Sequence, residues 1–195
     1  MRVPAPSRLL VAGLFIALTG PALSEPFKDF FPDEYAQMTA AEQALFDRLD
    51  LQQGKILIEG GIAQVDVPDS YYFLDTSGAR LVLEELWGNP PDETVAGMIF
   101  PRDGWPWGET WWGVTVSYDP MGYVSDENAG SYDYDAMLTE MQAGSVESNK
   151  WRTENGYAAI TILGWAEPPH YEAATNELYW AKRLQFADTQ GETLN

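Results

Sequence analysis

The feature that most restricts this chain is its punctuation. Seventeen glycines and 13 prolines are spread through 195 residues, and they fall between short apolar runs. Gly60-Gly61, Pro68, Gly88 with Asn89-Pro90-Pro91, Gly122, Gly164 and Pro168-Pro169 each interrupt the segment before them. Glycine supplies left-handed backbone there, and proline withholds a hydrogen-bond donor. The segments left between these breaks suit strands and short helices. A hydrophobic fraction of 45% with 13% aromatics can still fill a core, so one folded domain is expected rather than disorder.

The first residues carry an address. Arg2 and Arg8 precede the apolar run from Leu9 to Leu18, Gly20-Pro21 break it, and Ala22 and Ser24 place small residues before Glu25. This is the layout of a secretory signal peptide over residues 1–24, with cleavage expected after Ser24. The run is too short to cross a hydrocarbon core, which needs about 20 apolar residues. Export to a bacterial periplasm or envelope follows, and it agrees with a chain that has no cysteine and therefore no disulfide to form. The same absence excludes thiolate zinc sites, iron–sulfur ligation and a cysteine nucleophile. A net charge of −19 excludes nucleic acid and anionic lipid as partners, because both are repelled.

Residues 25–54 read as an entry segment whose aromatics dock onto the body, followed by a helix. Thr39 and Glu42 form a capping box, Leu45, Phe46 and Leu49 give one apolar stripe, and Gly54 closes the helix. Residues 55–195 form the main domain. Ile56 to Val67 reads as a hairpin turning at Gly60-Gly61, residues 71–74 as a strand, and residues 77–86 as a helix ending near Gly88. Residues 97–100 and 111–118 read as strands, the latter from the alternation of Val114 and Val116. A polar loop over 122–131 leads to a helix at about 133–142 with Leu138 and Met141 inward. Residues 157–165 and 178–186 then pair as a hairpin whose connection contains Pro168-Pro169. The expectation is an α+β fold, a mostly antiparallel sheet of about seven strands with three helices.

Chemistry is sparse. His170 is the only histidine, which rules out a multi-histidine metal site, and it sits in a Pro-Pro-His-Tyr turn. No G-x-S-x-G elbow, phosphate loop or dinucleotide fingerprint is present. Asp126 and Glu127, with Asn128, Asp133 and Asp135, offer oxygen ligands for a hard cation. The EF-hand count fails, because Gly130 and Ser131 take the fifth and sixth places and Met137 the twelfth. A metal is therefore left undetermined, and no cofactor is implied. Trp105, Trp107, Trp111 and Trp112 crowd together with glycine and proline. Such rings suit a contact surface for another protein or for the rest of the same chain. They could also stack on sugars, with Glu109 and Asp126 as a carboxylate pair.

Several phrases in order are distinctive: Leu86-Trp-Gly-Asn-Pro-Pro91, Gly97-Met-Ile-Phe-Pro101, Val116-Ser-Tyr-Asp119, Gly122-Tyr-Val-Ser125 with Asp126, Gly164-Trp-Ala-Glu-Pro168 and Leu178-Tyr-Trp-Ala-Lys182. Over about residues 50–195 the chain resembles a bacterial family of uncharacterised membrane-anchored envelope proteins, domain of unknown function 2167. The resemblance implies an exported, envelope-facing domain that continues into a C-terminal hydrophobic anchor, and it supplies no catalytic residue or cofactor. On that pattern the chain is expected to stop short of its anchor at Gly191-Glu-Thr-Leu-Asn195, leaving the strand near 178–186 close to a raw edge. With no catalytic set assembled, a non-catalytic module that engages an envelope protein is the leading expectation. A glycan-binding or glycan-hydrolysing protein and a Ca²⁺-stabilised domain are the alternatives. The candidate binding residues are Trp105, Trp107, Trp111, Trp112, Asp126, Glu127 and His170.

Overall fold

A computed structural model describes residues 23–107 and 112–195. Residues 1–22 of the expected signal peptide, together with Glu109 and Trp111, lie outside the described residues. The first layer opens with β1 (Leu23–Pro26), which straddles the expected cleavage point and pairs antiparallel with the start of β2 (Asp50–Ile58). Three short helices lie between them: α1 (Phe27–Phe30), α2 (Pro32–Gln37) and α3 (Ala40–Phe46). Pro32 starts α2, where a missing donor costs nothing. Thr39 caps α3 reciprocally: its amide donates to Glu42 Oε2 at 2.6 Å, and the Glu42 amide donates to Thr39 Oγ1 at 3.4 Å.

Gly54 does not close a helix. It lies inside β2 with φ at +84°, where pairing passes from β1 to β3 (Ala63–Val67). The strand starts earlier than its composition suggests because Leu49 and Leu51 are drawn into the core. The hairpin turn falls at Gly60 and Gly61, at φ +71° and +102°, as the paired glycines predict. β4 (Tyr71–Asp75) leads into α4 (Thr76–Arg80), whose first turn is capped by Gly78 N donating to Asp75 Oδ1 at 2.9 Å. The helix widens into a π turn over 81–86, with Trp87 N donating to the Val82 carbonyl, and Gly88 ends it. β5 (Val95–Pro101) and β6 (Val114–Ser117) complete a six-stranded antiparallel sheet ordered β1-β2-β4-β5-β6, with β3 on β2.

Both faces of this sheet are packed. Phe27, Phe46, Leu49, Tyr72, Val82 and Phe100 belong to the cluster under the helices, and Ile56, Ile58, Val67 and Phe73 to the cluster on the opposite face. Gly97 is required where β4 and β5 meet, since a Cβ there would fall 2.1 Å from the Phe73 ring and 2.7 Å from the Leu74 carbonyl.

The second layer is built differently. α5 (Tyr134–Glu154) packs on β7 (Ile160–Glu172), which pairs with β8 (Glu177–Phe186), and β9 (Thr193–Leu194) covers part of the far edge of β8. The helix meets β7 through polar side chains. Gln142 Nε2 donates to the Ile162 carbonyl at 3.0 Å, and Ser145 Oγ to the Ile160 carbonyl at 2.6 Å. Asn149 both donates to that carbonyl and accepts from Ile160 N, each at 2.8 Å, while Arg152 Nε donates to Ala158 O at 2.6 Å. Asn149 thus reproduces the hydrogen bonding of a neighbouring strand, and the row 142, 145, 149, 152 shields an edge that would otherwise pair at random.

Two departures from the sequence reading stand out in this layer. α5 runs twelve residues past the expected end at 142, because its inward stripe is hydrogen-bonding rather than apolar there. Pro168 and Pro169 do not lie in a connection but inside β7, at register shifts between Glu167 and His170 where the ladder is already interrupted. The α+β class holds. Among the described residues there are nine strands in two sheets and five α-helices, against the expected single sheet of about seven strands with three helices. Among the described residues, no helix is long and apolar enough to cross a membrane.

Candidate functional site

The tryptophan segment divides between core and surface. Trp105 is half-buried, its ring 5.8 Å from Phe46 and 6.4 Å from Phe27. Trp107 lies 6.0 Å from Phe46 but is 52% exposed. The backbone around them is pinned by Tyr72 Oη donating to Gly104 O and Trp87 Nε1 donating to Pro106 O, each at 2.8 Å. Trp112 belongs elsewhere. It stands two residues before β6, 52% exposed, with its ring edge-on to Tyr71 at 6.1 Å.

Two concave surfaces flank Trp112. One is an apolar groove of about 320 Å³ on the outer face of the first sheet, walled by Val65, Pro68, Tyr71, Ile99, Trp112 and Val114. The other is a cleft of about 630 Å³ where the two layers meet, lined by Trp87, Trp112, Pro90, Leu184 and the charged Arg80, Glu84, Asp92 and Arg152. Its carboxylates are engaged: Glu84 pairs with Arg80 at 3.1 Å, and Asp92 accepts from Thr94 Oγ1 at 2.7 Å and Thr94 N at 2.9 Å. The Thr94 hydroxyl and amide hold the Asp92 carboxyl below its ordinary range. Glu42, Glu85 and Glu177 shift in the same direction, opposite to the direction a general acid needs.

The acidic loop is tethered to the second sheet. Tyr171 Oη donates to Asp126 Oδ2, and this bond pushes the Tyr171 phenol up to about 12. Glu127 is exposed and its amide donates to Ser125 Oγ at 3.4 Å. His170 is exposed on β7 in register with Tyr179, whose hydroxyl donates to Glu177. Among the described residues, no three or more His, Cys, Asp or Glu side chains gather as a metal site. The sequence candidates therefore fall into three places: Trp105 and Trp107 against the helices, Trp112 at the sheet edge, and Asp126 with Tyr171 at the hairpin.

Sequence reasoning missed Tyr71, Pro68 and Trp87 as surface-forming residues. The alternation of Val114 and Val116 did place those two side chains on one face, and extending it back to Trp112 is the signal that would have led to the groove.

Residues 50–195 match the model of a family described as "Protein of unknown function (DUF2167)". Nothing among the curated proteins and nothing among the solved structures matches the chain.

Proposed function

Since the chain belongs to the DUF2167 family, whose description assigns no activity, we propose from its own surface that it is a non-catalytic interaction module. Its setting in this reading is the bacterial envelope, reached through the leader pattern of residues 1–24 and held there by a membrane anchor in the full protein. The observation that carries the reading is the surface of the second layer and of the 118–133 segment that leads into it. Met121, Tyr123, Val124, Tyr132, Trp151, Tyr179 and Trp180 are all exposed, and Leu184 is the one buried hydrophobic residue beyond Phe100 among those described. Exposed aromatic and apolar side chains in this number support a surface that another polypeptide covers.

The test is crosslinking in membranes with the full-length gene product and a variant carrying Trp151, Tyr179 and Trp180 changed to serine, after its melting curve shows that it folds. A protein captured by the parent and lost in the variant is the expected result. Equal capture by both removes the reading. Retention on purified cell-wall glycan without any protein would replace it with a glycan-binding one centred on Trp87 and Trp112.

A further inference from the structure

The sheet edges of this molecule are guarded to different degrees. The start of β7 is shielded by the polar row of α5, β9 covers β8 at Arg183 and Leu184, β1 carries Glu25 and Pro26, and β3, paired only with β2, carries Asp66. β6 ends the first sheet with no strand on its outer side among the described residues. Its sequence, Val114-Thr-Val-Ser117, contains neither a charge nor a proline, the usual means of discouraging a neighbour. Val114, Thr115 and Ser117 are exposed.

The groove beside this edge is continuous with it, because Trp112 and Val114 form one of its walls. A strand laid along β6 places alternate side chains on each face of the sheet. Those on the Val114 side therefore project toward Tyr71, Ile99 and Pro68. At about 320 Å³ the space is near the lower limit of small-molecule sites, which run to roughly 300–1,000 Å³, and its apolar walls suit a large hydrophobic side chain.

Charge selects the occupant. The chain carries −19, Asp66 stands in the groove wall, and Asp119 follows the strand by two residues. Lys55, across from Asp66 on β2, is already 3.7 Å from that carboxylate. A second copy of the chain would bring the same excess of negative charge to the edge, whereas a basic segment is attracted and steered to it.

We propose that β6 receives an extended, lysine- or arginine-bearing segment of a partner protein as an added strand, with one apolar side chain seated in the groove. This rests on the interaction-module reading and names the chemistry of the partner at one place on the surface.

The experiment is an NMR titration of the isotope-labelled chain with two short synthetic peptides, one alternating lysine with valine around a central phenylalanine, the other with glutamate replacing lysine. The lysine peptide should shift and protect the amides of residues 114–117, and the glutamate peptide should leave them unchanged. Val114→Lys should weaken the lysine peptide by about tenfold or more, while Val146→Lys on exposed α5 should not. Four results would each overturn the proposal: protection of the outward β6 amides in the free chain, equal binding of both peptides, no binding, or a dimer formed through β6 in sedimentation. A membrane partner that crosslinks to the second layer while β6 stays silent would overturn strand addition and leave the interaction module standing. Loss of all capture would remove the module itself.

Discussion

The two layers of this molecule reach order by opposite means. Between Phe27 and Phe100 the chain buries a two-faced core of aromatic and branched side chains around a six-stranded sheet. Beyond Phe100 only Leu184 is buried among the described hydrophobic residues, and the helix is joined to its sheet by amide, hydroxyl and guanidinium side chains. Burial of apolar area is the larger stabilising force, and hydrogen bonds that replace bonds to water contribute modestly. The first layer should therefore hold itself together, while the second holds its shape cheaply and leaves its aromatics available. No hydrogen bond or salt bridge between residues 23–118 and 129–195 is seen among the described residues, and the layers meet across the 630 Å³ cleft.

The widest gap between the layers should appear in truncation of large side chains. Phe46 is fully buried against Phe27, Trp105 and Trp107, so Phe46→Ala should cost about 3–5 kcal/mol in urea unfolding. Trp180→Ala in the second layer should cost about 0.5 kcal/mol or less, as exposed substitutions do. Similar losses from both would break the comparison.

A smaller effect is expected where the second layer is most committed. Asn149→Ala removes both hydrogen bonds to Ile160 and leaves its amide unpaired, while the carbonyl keeps Ser145 Oγ, at about 1–3 kcal/mol. Faster exchange of the Ile160 amide, with β4 unaffected, would place that loss in the second layer.

Acid should separate the layers more gently. The Arg48 guanidinium holds the Glu85 carboxyl below its ordinary range, and the Thr39 hydroxyl and then its amide do the same for Glu42. Both carboxyls are depressed in the folded chain, so their stabilisation is complete above the ordinary carboxylate range and is lost as pH falls through it toward the lowered values. Glu42→Gln and Glu85→Gln should each lower Tm slightly at neutral pH and converge with the parent in acid. A constant difference at every pH would contradict the assignment.

The least disruptive prediction concerns the tether of the 122–131 loop. Tyr171 should ionise near 12 in an absorbance titration read against Tyr171→Phe, and Asp126→Asn should bring it back toward 10. With the phenol raised in the folded chain, the bond to Asp126 is intact below pH 10 and is lost as pH climbs through 12.

What was legible in the sequence follows the same division. The capping box at Thr39 and Glu42, the Gly60-Gly61 turn and the docking of Phe27 and Phe31 are local or apolar signals, and the structure bears them out. α5 was half legible. Leu138 and Met141 mark its start, but Ser145, Asn149 and Arg152 look like a solvated face until a strand edge is placed beside them. Pro168 and Pro169 read as a loop because proline interrupts a ladder, and only the register shifts of β7 accommodate them. At the candidate site, closeness in sequence was misleading about closeness in space. Trp105 and Trp112 are seven residues apart, yet one packs on the helices and the other stands at the β6 edge.

Native-state hydrogen exchange followed amide by amide is the most direct measurement. Amides of β2, β4 and β5 should exchange only through global unfolding, while those of α5, β7 and β8 should exchange through a local opening of lower free energy. Equal protection of both sets, collapsing together with denaturant, would contradict the claim that the second layer lacks a core of its own.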